Sequence, residues 1–397
     1  MGYVAPVDTL DVSNSNTPGV VDLSNPDGQA FARAVAQVDS RGHFEFTETN
    51  AYSGNNGRAA ILNDSRGVEV IYTVGNAGNG GNPQPRGILL GAGALILTPA
   101  DLPESAQVPG APTPVASFSV TQLGVKADKL GKDDNFRGLT VFDNVLYFSK
   151  GSGSNGVNTV YFVGYQRSRL SARNRPSSPA CETSGGCTEL QFGHIGDLRL
   201  PSNMCILAGF PSTPNKSATA TAFPFGIWFA DAHTLYVADE GGGYTGGADL
   251  YTHAAAQPTS GLQKWILDDA AGQWRLVYVL NGGLGLGLPY EVRGYPTGNN
   301  IATGLPWAPA TDGLRNITGR VGHDGKAVIW GITSIISGNG DTGADPNRLV
   351  AVIDDLRNAD PASAAHENFY LLRAARFAEA LRGVSFTPGT DVDQDRR

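Results

Sequence analysis

Phe225-Gly-Ile-Trp-Phe229, Ala230-Asp-Ala-His233 and Thr234-Leu-Tyr-Val-Ala-Asp239, read consecutively, decide the fold of this chain. The two flanking runs are rich in aromatic and β-branched residues, and the short polar stretch between them suits a tight reversal, so the segment predicts a β-hairpin. The same arrangement recurs elsewhere. Arg58-Ala-Ala-Ile-Leu62 runs through Asn63-Asp-Ser-Arg-Gly67 into Val68-Glu-Val-Ile-Tyr-Thr-Val-Gly75. Arg137-Gly-Leu-Thr-Val-Phe142 turns at Asp143-Asn144 into Val145-Leu-Tyr-Phe-Ser-Lys150. Arg315-Asn-Ile-Thr-Gly-Arg-Val321 turns at Gly322-His-Asp-Gly325 into Lys326-Ala-Val-Ile-Trp330. The starts are spaced by roughly 80 to 90 residues, a blade-scale period.

Each hairpin leads into a Gly-rich loop, such as Gly75–Gly81 or Gly151–Gly156, and then into further strand-like runs. Gly261-Leu-Gln-Lys-Trp-Ile-Leu267 with Trp274-Arg-Leu-Val-Tyr-Val-Leu280 is one such pair, and Arg348-Leu-Val-Ala-Val-Ile353 with Phe369-Tyr-Leu-Leu-Arg373 is another. Four antiparallel strands per unit is the blade of a β-propeller. The expectation is therefore an all-β chain forming a single propeller domain over residues 1–397, with six blades, or seven as the alternative count. Its divisions are a partial blade at 1–50, full blades at about 51–125, 126–212, 213–282 and 305–376, a closing strand at 381–388 and a tail at 389–397. A β-sandwich with similar hairpins is the competing architecture.

Composition agrees with many short strands and turns. The chain has 397 residues with 52 Gly and 24 Pro, and charged residues make up only 17%. A formal net charge of −8 argues against a broad nucleic-acid footprint. No apolar run is long enough to cross a bilayer. Of the cysteines Cys181, Cys187 and Cys205, the first two bracket a short Gly-containing loop without zinc-type spacing, so a disulfide in an oxidising compartment is expected. Met1-Gly-Tyr-Val-Ala-Pro-Val7 reads as the end of a strand, with neither the basic nor the long apolar region of a signal peptide. Met1 is expected to be internal to a longer precursor.

Tyr52-Ser-Gly-Asn-Asn-Gly-Arg-Ala-Ala-Ile-Leu-Asn-Asp64, Lys132-Asp-Asp-Asn-Phe-Arg-Gly-Leu-Thr-Val-Phe142, Phe223-Pro-Phe-Gly-Ile-Trp-Phe-Ala-Asp-Ala-His-Thr-Leu-Tyr-Val-Ala-Asp-Glu240 and Leu381-Arg-Gly-Val-Ser-Phe-Thr-Pro388 together resemble a family of exported bacterial proteins of the propeller type that has no settled function. The resemblance covers nearly the whole chain. It implies the fold and export to the periplasm or cell exterior, and members of that family carry additional strands ahead of the position of Met1. It implies no reaction.

Four arginines, Arg58, Arg137, Arg315 and Arg382, stand at the starts of the proposed innermost strands, with Phe223 and Phe225 breaking the pattern in the third unit. Guanidinium groups gathered at the mouth of a central channel would bind carboxylate, phosphate or sulfate bidentately, as in an anionic small molecule or glycan. The alternative is that each arginine caps its own blade. Acidic candidates on the same face are Asp133, Asp134, Asp239 and Glu240, with Asp312 ahead of Arg315. They would pair with the arginines, hold a hard cation, or serve as the carboxylates of a glycan hydrolase or lyase; solvated turn acids are the plain alternative. In Gly338-Asn-Gly-Asp-Thr-Gly-Ala-Asp345, Asp341 and Asp345 are candidate Ca²⁺ ligands, although the spacing is not that of an EF-hand.

His233 and His323 fall in equivalent turns, where solvation is the default. No nucleophile elbow is present, and Gly282-Gly-Leu-Gly-Leu-Gly287 precedes no helical pattern, so a dinucleotide loop is rejected. Three functional readings follow. The first is a binding propeller for an anionic ligand, the second a polysaccharide hydrolase or lyase on the same face, and the third a surface or matrix interaction protein with an inert channel.

Overall fold

The computed structural model describes residues 1–9, 11–23, 25, 28–63, 70–76, 93–97, 114–118, 135–143, 145–151, 157–163, 205–212, 222–339, 345–388 and 390. These residues form an all-β protein of small antiparallel sheets. No helix among them is long and apolar enough to cross a membrane. The chain groups into two compact units, one formed by Met1–Ala218 with Phe386–Arg397 and the other by Thr219–Ser385.

The first unit begins with a three-stranded sheet ordered β1 (Gly2–Tyr3), β2 (Arg33–Val38) and β3 (Phe44–Thr49). A four-stranded sheet follows, ordered as in the chain: β4 (Gly57–Asn63), β5 (Val70–Gly75), β6 (Ala94–Leu97) and β7 (Pro114–Phe118). The next is built the same way from β8 (Phe136–Phe142), β9 (Val145–Lys150), β10 (Thr159–Val163) and β11 (Cys205–Ile206). The second unit repeats the plan twice. One sheet holds β12 (Pro224–Phe229), β13 (Thr234–Asp239), β14 (Gly261–Asp268) and β15 (Gln273–Leu280). The other holds β16 (Ala310–Val321), β17 (Lys326–Ile336), β18 (Arg348–Asp355) and β19 (Tyr370–Ala374). Within each sheet every strand pairs with its neighbour in sequence, and tight turns join the hairpins β2–β3, β8–β9, β12–β13, β14–β15 and β16–β17, which local turn chemistry can direct.

In the second unit, burial falls from the first strands of a sheet to the last. β12 and β13 are buried along their whole length, β15 mixes buried and exposed positions, and β19 is exposed throughout. Strands covered on both faces read as continuous apolar runs, which is why Phe225–Phe229 and Leu235–Ala238 show no alternation. The second unit's core joins its two sheets through Leu262, Leu280, Leu314, Ile329, Val350 and Val352. Burying a side chain of this kind contributes about 1.5–3 kcal/mol.

Close approach between these sheets depends on glycine. Trp228 stacks on its cross-strand neighbour Tyr236, with centroids 5.6 Å apart. A Cβ on Gly319 of β16 would lie 2.7 Å from that indole, so only glycine fits beneath it. In the first unit Gly75 plays the same part against the buried Tyr52 ring, 2.8 Å from where its Cβ would stand.

Two features depart from the sequence reading. A short helix, α1 (Leu250–Ala255), occupies the connection between β13 and β14, where only a Gly-rich loop is expected. The closing strand expected at 381–388 does not form a strand in this structure. Gly383 takes φ +70°, outside the extended region, and Leu381 is held by a side chain instead of a neighbouring strand. Its N–H donates to Asn347 Oδ1 (2.7 Å) and its carbonyl accepts from Asn347 Nδ2 (3.0 Å). The disulfide expectation lies outside the described residues, which include neither Cys181 nor Cys187.

Candidate functional site

The arginine positions share a backbone feature that spacing alone does not show. In each four-stranded sheet the first strand gains one residue on its partner at this point. Gly57 faces Gly75 but Ala59 faces Val74; Phe136 faces Lys150 but Leu139 faces Phe148. Pro224 faces Asp239 but Ile227 faces Val237; Leu314 faces Thr333 but Ile317 faces Gly331. Arg58, Arg137, Phe225 and Arg315 therefore lie within β-bulges, which bend the strand and redirect the side chain. Arg58 and Arg137 belong to the first unit, where β4 contacts β8, and Arg137 is the more buried of the two. Arg315 belongs to the second unit, as does Arg382, which is exposed and stands on no strand.

Around Arg315 the second unit assembles most of the acidic candidates it contains. Asp239 ends β13 and is fully buried. Its Oδ2 accepts from the Phe223 N–H (2.8 Å) and Gln263 Nε2 (3.1 Å), and its Oδ1 from the Gly241 N–H (3.0 Å). Glu240 follows and accepts from Arg315 Nε at 3.0 Å, with both side chains largely buried. The guanidinium of Arg315 also lies over the Phe225 ring, 5.6 Å from its centroid.

Asp312 sits at a second register shift of β16, between Thr311 and Gly313, and is buried. Its Oδ2 accepts from the Gly243 N–H (2.8 Å) and its Oδ1 from Gln257 Nε2 (2.5 Å). Gln257 Oε1 in turn accepts from the Gly242 N–H (2.5 Å). Two further glycines let the strands meet. A Cβ on Gly226 would lie 2.4 Å from the Arg315 carbonyl oxygen, and one on Gly313 2.3 Å from the Asp239 carbonyl oxygen.

Burial disfavours the charged form of both aspartates. It pushes Asp239 up to about 7, against the pull of the Phe223 and Gly241 amides. It pushes Asp312 up to about 6, against the Gly243 amide and Gln257. The two carboxyl groups therefore titrate where an ordinary surface aspartate is already ionised. Their oxygens are engaged by internal donors, which suits holding a loop better than proton transfer to a polymeric substrate.

Asp133, Asp134 and Asp341 lie outside the described residues. Asp345 is buried and accepts from Tyr295 OH, from Ser337 Oγ (2.5 Å) and from Asn339 Nδ2 (3.1 Å), so a calcium ion there would have to displace these donors. Among the described residues no group of His, Cys, Asp and Glu is arranged to hold a metal ion. His233 stands exposed, 3.3 Å from Asp269, as a turn histidine is expected to.

Two buried polar centres escaped the sequence reading. In the second unit, Lys264 Nζ lies 2.8 Å from Asp354 Oδ2, with both side chains fully buried. Lys264 also donates to Tyr278 OH (2.9 Å) and to the carbonyls of Asp355 (2.9 Å) and Asn358 (3.0 Å). Tyr236 and Tyr278 both donate to Asp354. Glu367 borders this centre, and burial together with Asp354 pushes its carboxyl up to about 8. In the first unit, the buried Arg33 donates to the carbonyls of Ser15 (2.8 Å), Phe31 (2.7 Å), Tyr52 (3.1 Å) and Asn55 (3.0 Å), pinning separate loops with one guanidinium. A charged residue inside a largely apolar strand, as in Leu262-Gln-Lys-Trp-Ile-Leu267, was the available signal for Lys264; Arg33 stands in a similar run.

No protein-family model matches this sequence, and no curated protein shows significant similarity to it.

Proposed function

We propose that this chain is an exported binding protein of the β-propeller type, six-bladed as the repeat spacing expects. It takes an anionic small molecule or glycan at the arginine-bearing starts of its innermost strands. The observation that carries the reading is the shared bulge: Arg58, Arg137 and Arg315 occupy the same irregular step of three different sheets. In a closed ring such steps would face a common axis, and planar guanidinium forks there suit carboxylate or sulfate groups. The sheet plan, with consecutive antiparallel strands and, in the second unit, burial greatest in the first strands, supports the propeller. Binding is favoured over hydrolysis because Asp239 and Asp312 spend their oxygens on internal donors.

The test is calorimetric titration of a tetragalacturonate and of inorganic sulfate into the full chain and into Arg58→Lys, Arg137→Lys and Arg315→Lys. Lysine keeps the charge and removes the bidentate fork. Affinity is expected to fall about tenfold or more in at least one variant while the melting temperature stays close to that of the wild type. Binding unchanged in all three, or no binding of either probe by the wild type, overturns the proposal. Turnover of a neutral or acidic polysaccharide that disappears in Glu240→Gln would establish the enzymatic alternative instead.

A further inference from the structure

Arg348 opens β18 with its guanidinium stacked on Tyr290, 3.6 Å from the ring centroid. Stacking uses the face of a guanidinium and leaves its in-plane N–H donors unspent. Among the described residues Arg348 makes no side-chain hydrogen bond and no ion pair, and its Nε is buried without a partner. The nearby Asp345 gives its oxygens to Tyr295, Ser337 and Asn339 instead. Arg315, by contrast, is already held by Glu240. A buried donor left without a bond is costly, and an arriving acceptor would recover that cost.

Aromatic rings surround this guanidinium. Tyr290 and Tyr295 lie in the connection between β15 and β16, and their hydroxyls fasten it to the segment leading into β18. Tyr290 donates to the Pro346 carbonyl (2.7 Å) and Tyr295 to Asp345. The Tyr290 hydroxyl feels both Arg348 and Tyr295 electrostatically. Tyr295 is met edge-on by Trp307 and by Phe377, with centroids 6.4 Å and 6.1 Å away. Arg348 pairs with Ala374 across the sheet, which brings Phe377 to the same end of β18 and β19. Phe377 is 53% exposed, and the turn that presents it places Ala378 at φ +62°, a conformation that favours glycine. The Trp307 indole N–H, which can only donate, has no acceptor among the described residues.

These groups ask for different parts of one ligand. An unpaired guanidinium fork suits a planar carboxylate, an exposed phenyl ring suits the C–H face of a saturated ring, and an indole N–H suits a hydroxyl oxygen. A uronic acid carries all three. We propose that Arg348, Trp307 and Phe377 form a second ligand site, for a sugar acid. Arg348 takes the carboxylate, Phe377 the face of the pyranose, and Trp307 a hydroxyl. The site does not depend on the arginines at the bulges.

The arginine Nε–Hε resonances of the ¹⁵N-labelled full chain test it. The Arg348 signal is assigned by its loss in Arg348→Lys, and the ring current of Tyr290 identifies it if that variant fails to fold. D-Galacturonate is expected to shift this resonance saturably, and D-galactose to leave it in place. Phe377→Ala, a change at an exposed position, is expected to weaken the galacturonate response about threefold or more. No shift with galacturonate, an equal shift with galactose, or unchanged affinity in Phe377→Ala overturns the proposal. Sulfate acting as strongly as galacturonate also overturns it, since the rings would then select nothing. Arg58→Lys, Arg137→Lys and Arg315→Lys are expected to keep the Arg348 response. Its loss in any of them would assign the ligand to the bulges and defeat the second site. A response at Arg348 that persists while those three variants bind tetragalacturonate normally would defeat the bulge site alone.

Discussion

Arg315 rests on Phe225: its guanidinium lies over that ring while its Nε donates to Glu240. Phe225 occupies the bulge that holds an arginine in the other four-stranded sheets. The repeat that lacks the arginine thus supplies the apolar surface for its neighbour's. An aromatic face stabilises a guanidinium without consuming its in-plane donors, and Arg315 spends its Nε on Glu240.

The Arg315–Glu240 pair is expected to show a coupling on the order of 1–3 kcal/mol in a double-mutant cycle of Arg315→Ala and Glu240→Ala, because both side chains are largely removed from water. Urea unfolding of the four proteins measures it. A coupling indistinguishable from zero would mean that the contact contributes nothing to stability.

Lys264 and Asp354 should be far less tolerant of separation. Lys264→Met leaves a fully buried carboxylate with its tyrosine donors but no cation, at an expected cost of about 3–5 kcal/mol. Adding Asp354→Asn should recover part of that loss. If Lys264→Met costs less than about 1 kcal/mol, the pair is not holding the two sheets together in the way its burial implies.

Gly319→Ala should destabilise the second unit by about 1–3 kcal/mol, since the new methyl would enter the space of the Trp228 ring. The cost should shrink in a Trp228→Phe background, where the smaller ring leaves room. Thermal unfolding of the four combinations reads this, and an equal cost in both backgrounds would place the clash elsewhere.

Asp312 gives stability a pH dependence of defined sign. Its folded pKa of about 6 lies above the ordinary aspartate value, so the folded state binds more protons between the two. The stabilisation it confers is therefore fully present below about pH 4 and is lost as pH rises through about 6. Relative to wild type, Asp312→Asn should gain on the order of 2–3 kcal/mol between pH 4 and pH 8, whatever its absolute cost. A constant difference across that range, in denaturant titrations at fixed ionic strength, would show that Asp312 has no raised pKa.

Much of the fold was legible because its determinants are local. The hairpins β12–β13 and β16–β17 follow from apolar runs bracketing Ala230–His233 and Gly322–Gly325, and strand order within each sheet follows chain order. The failure at 381–388 has the same origin. Arg382-Gly-Val-Ser-Phe386 repeats the sequence of an innermost strand, but a strand also needs an edge to pair with, and the Asn347 side chain takes up the backbone of Leu381 instead.

The candidate site was legible only as a set of residue types. Arg315, Glu240 and Asp312 could be named from their repeat positions, whereas the bulge is a property of two strands in register and has no single-residue signature.

The sequence by itself determined the β-hairpin repeat, its period and the repeated arginine, because turn chemistry and side-chain patterning act between near neighbours. Tertiary structure alone decided which charges meet. Arg315 finds Glu240 across 75 residues and Lys264 finds Asp354 across 90, each pair joining two sheets. Such pairings depend on how sheet faces pack and on glycines that permit the approach, as Gly226 does beside Arg315. That packing, not the order of residues along either strand, turned a repeated arginine into one held by a carboxylate on an aromatic ring.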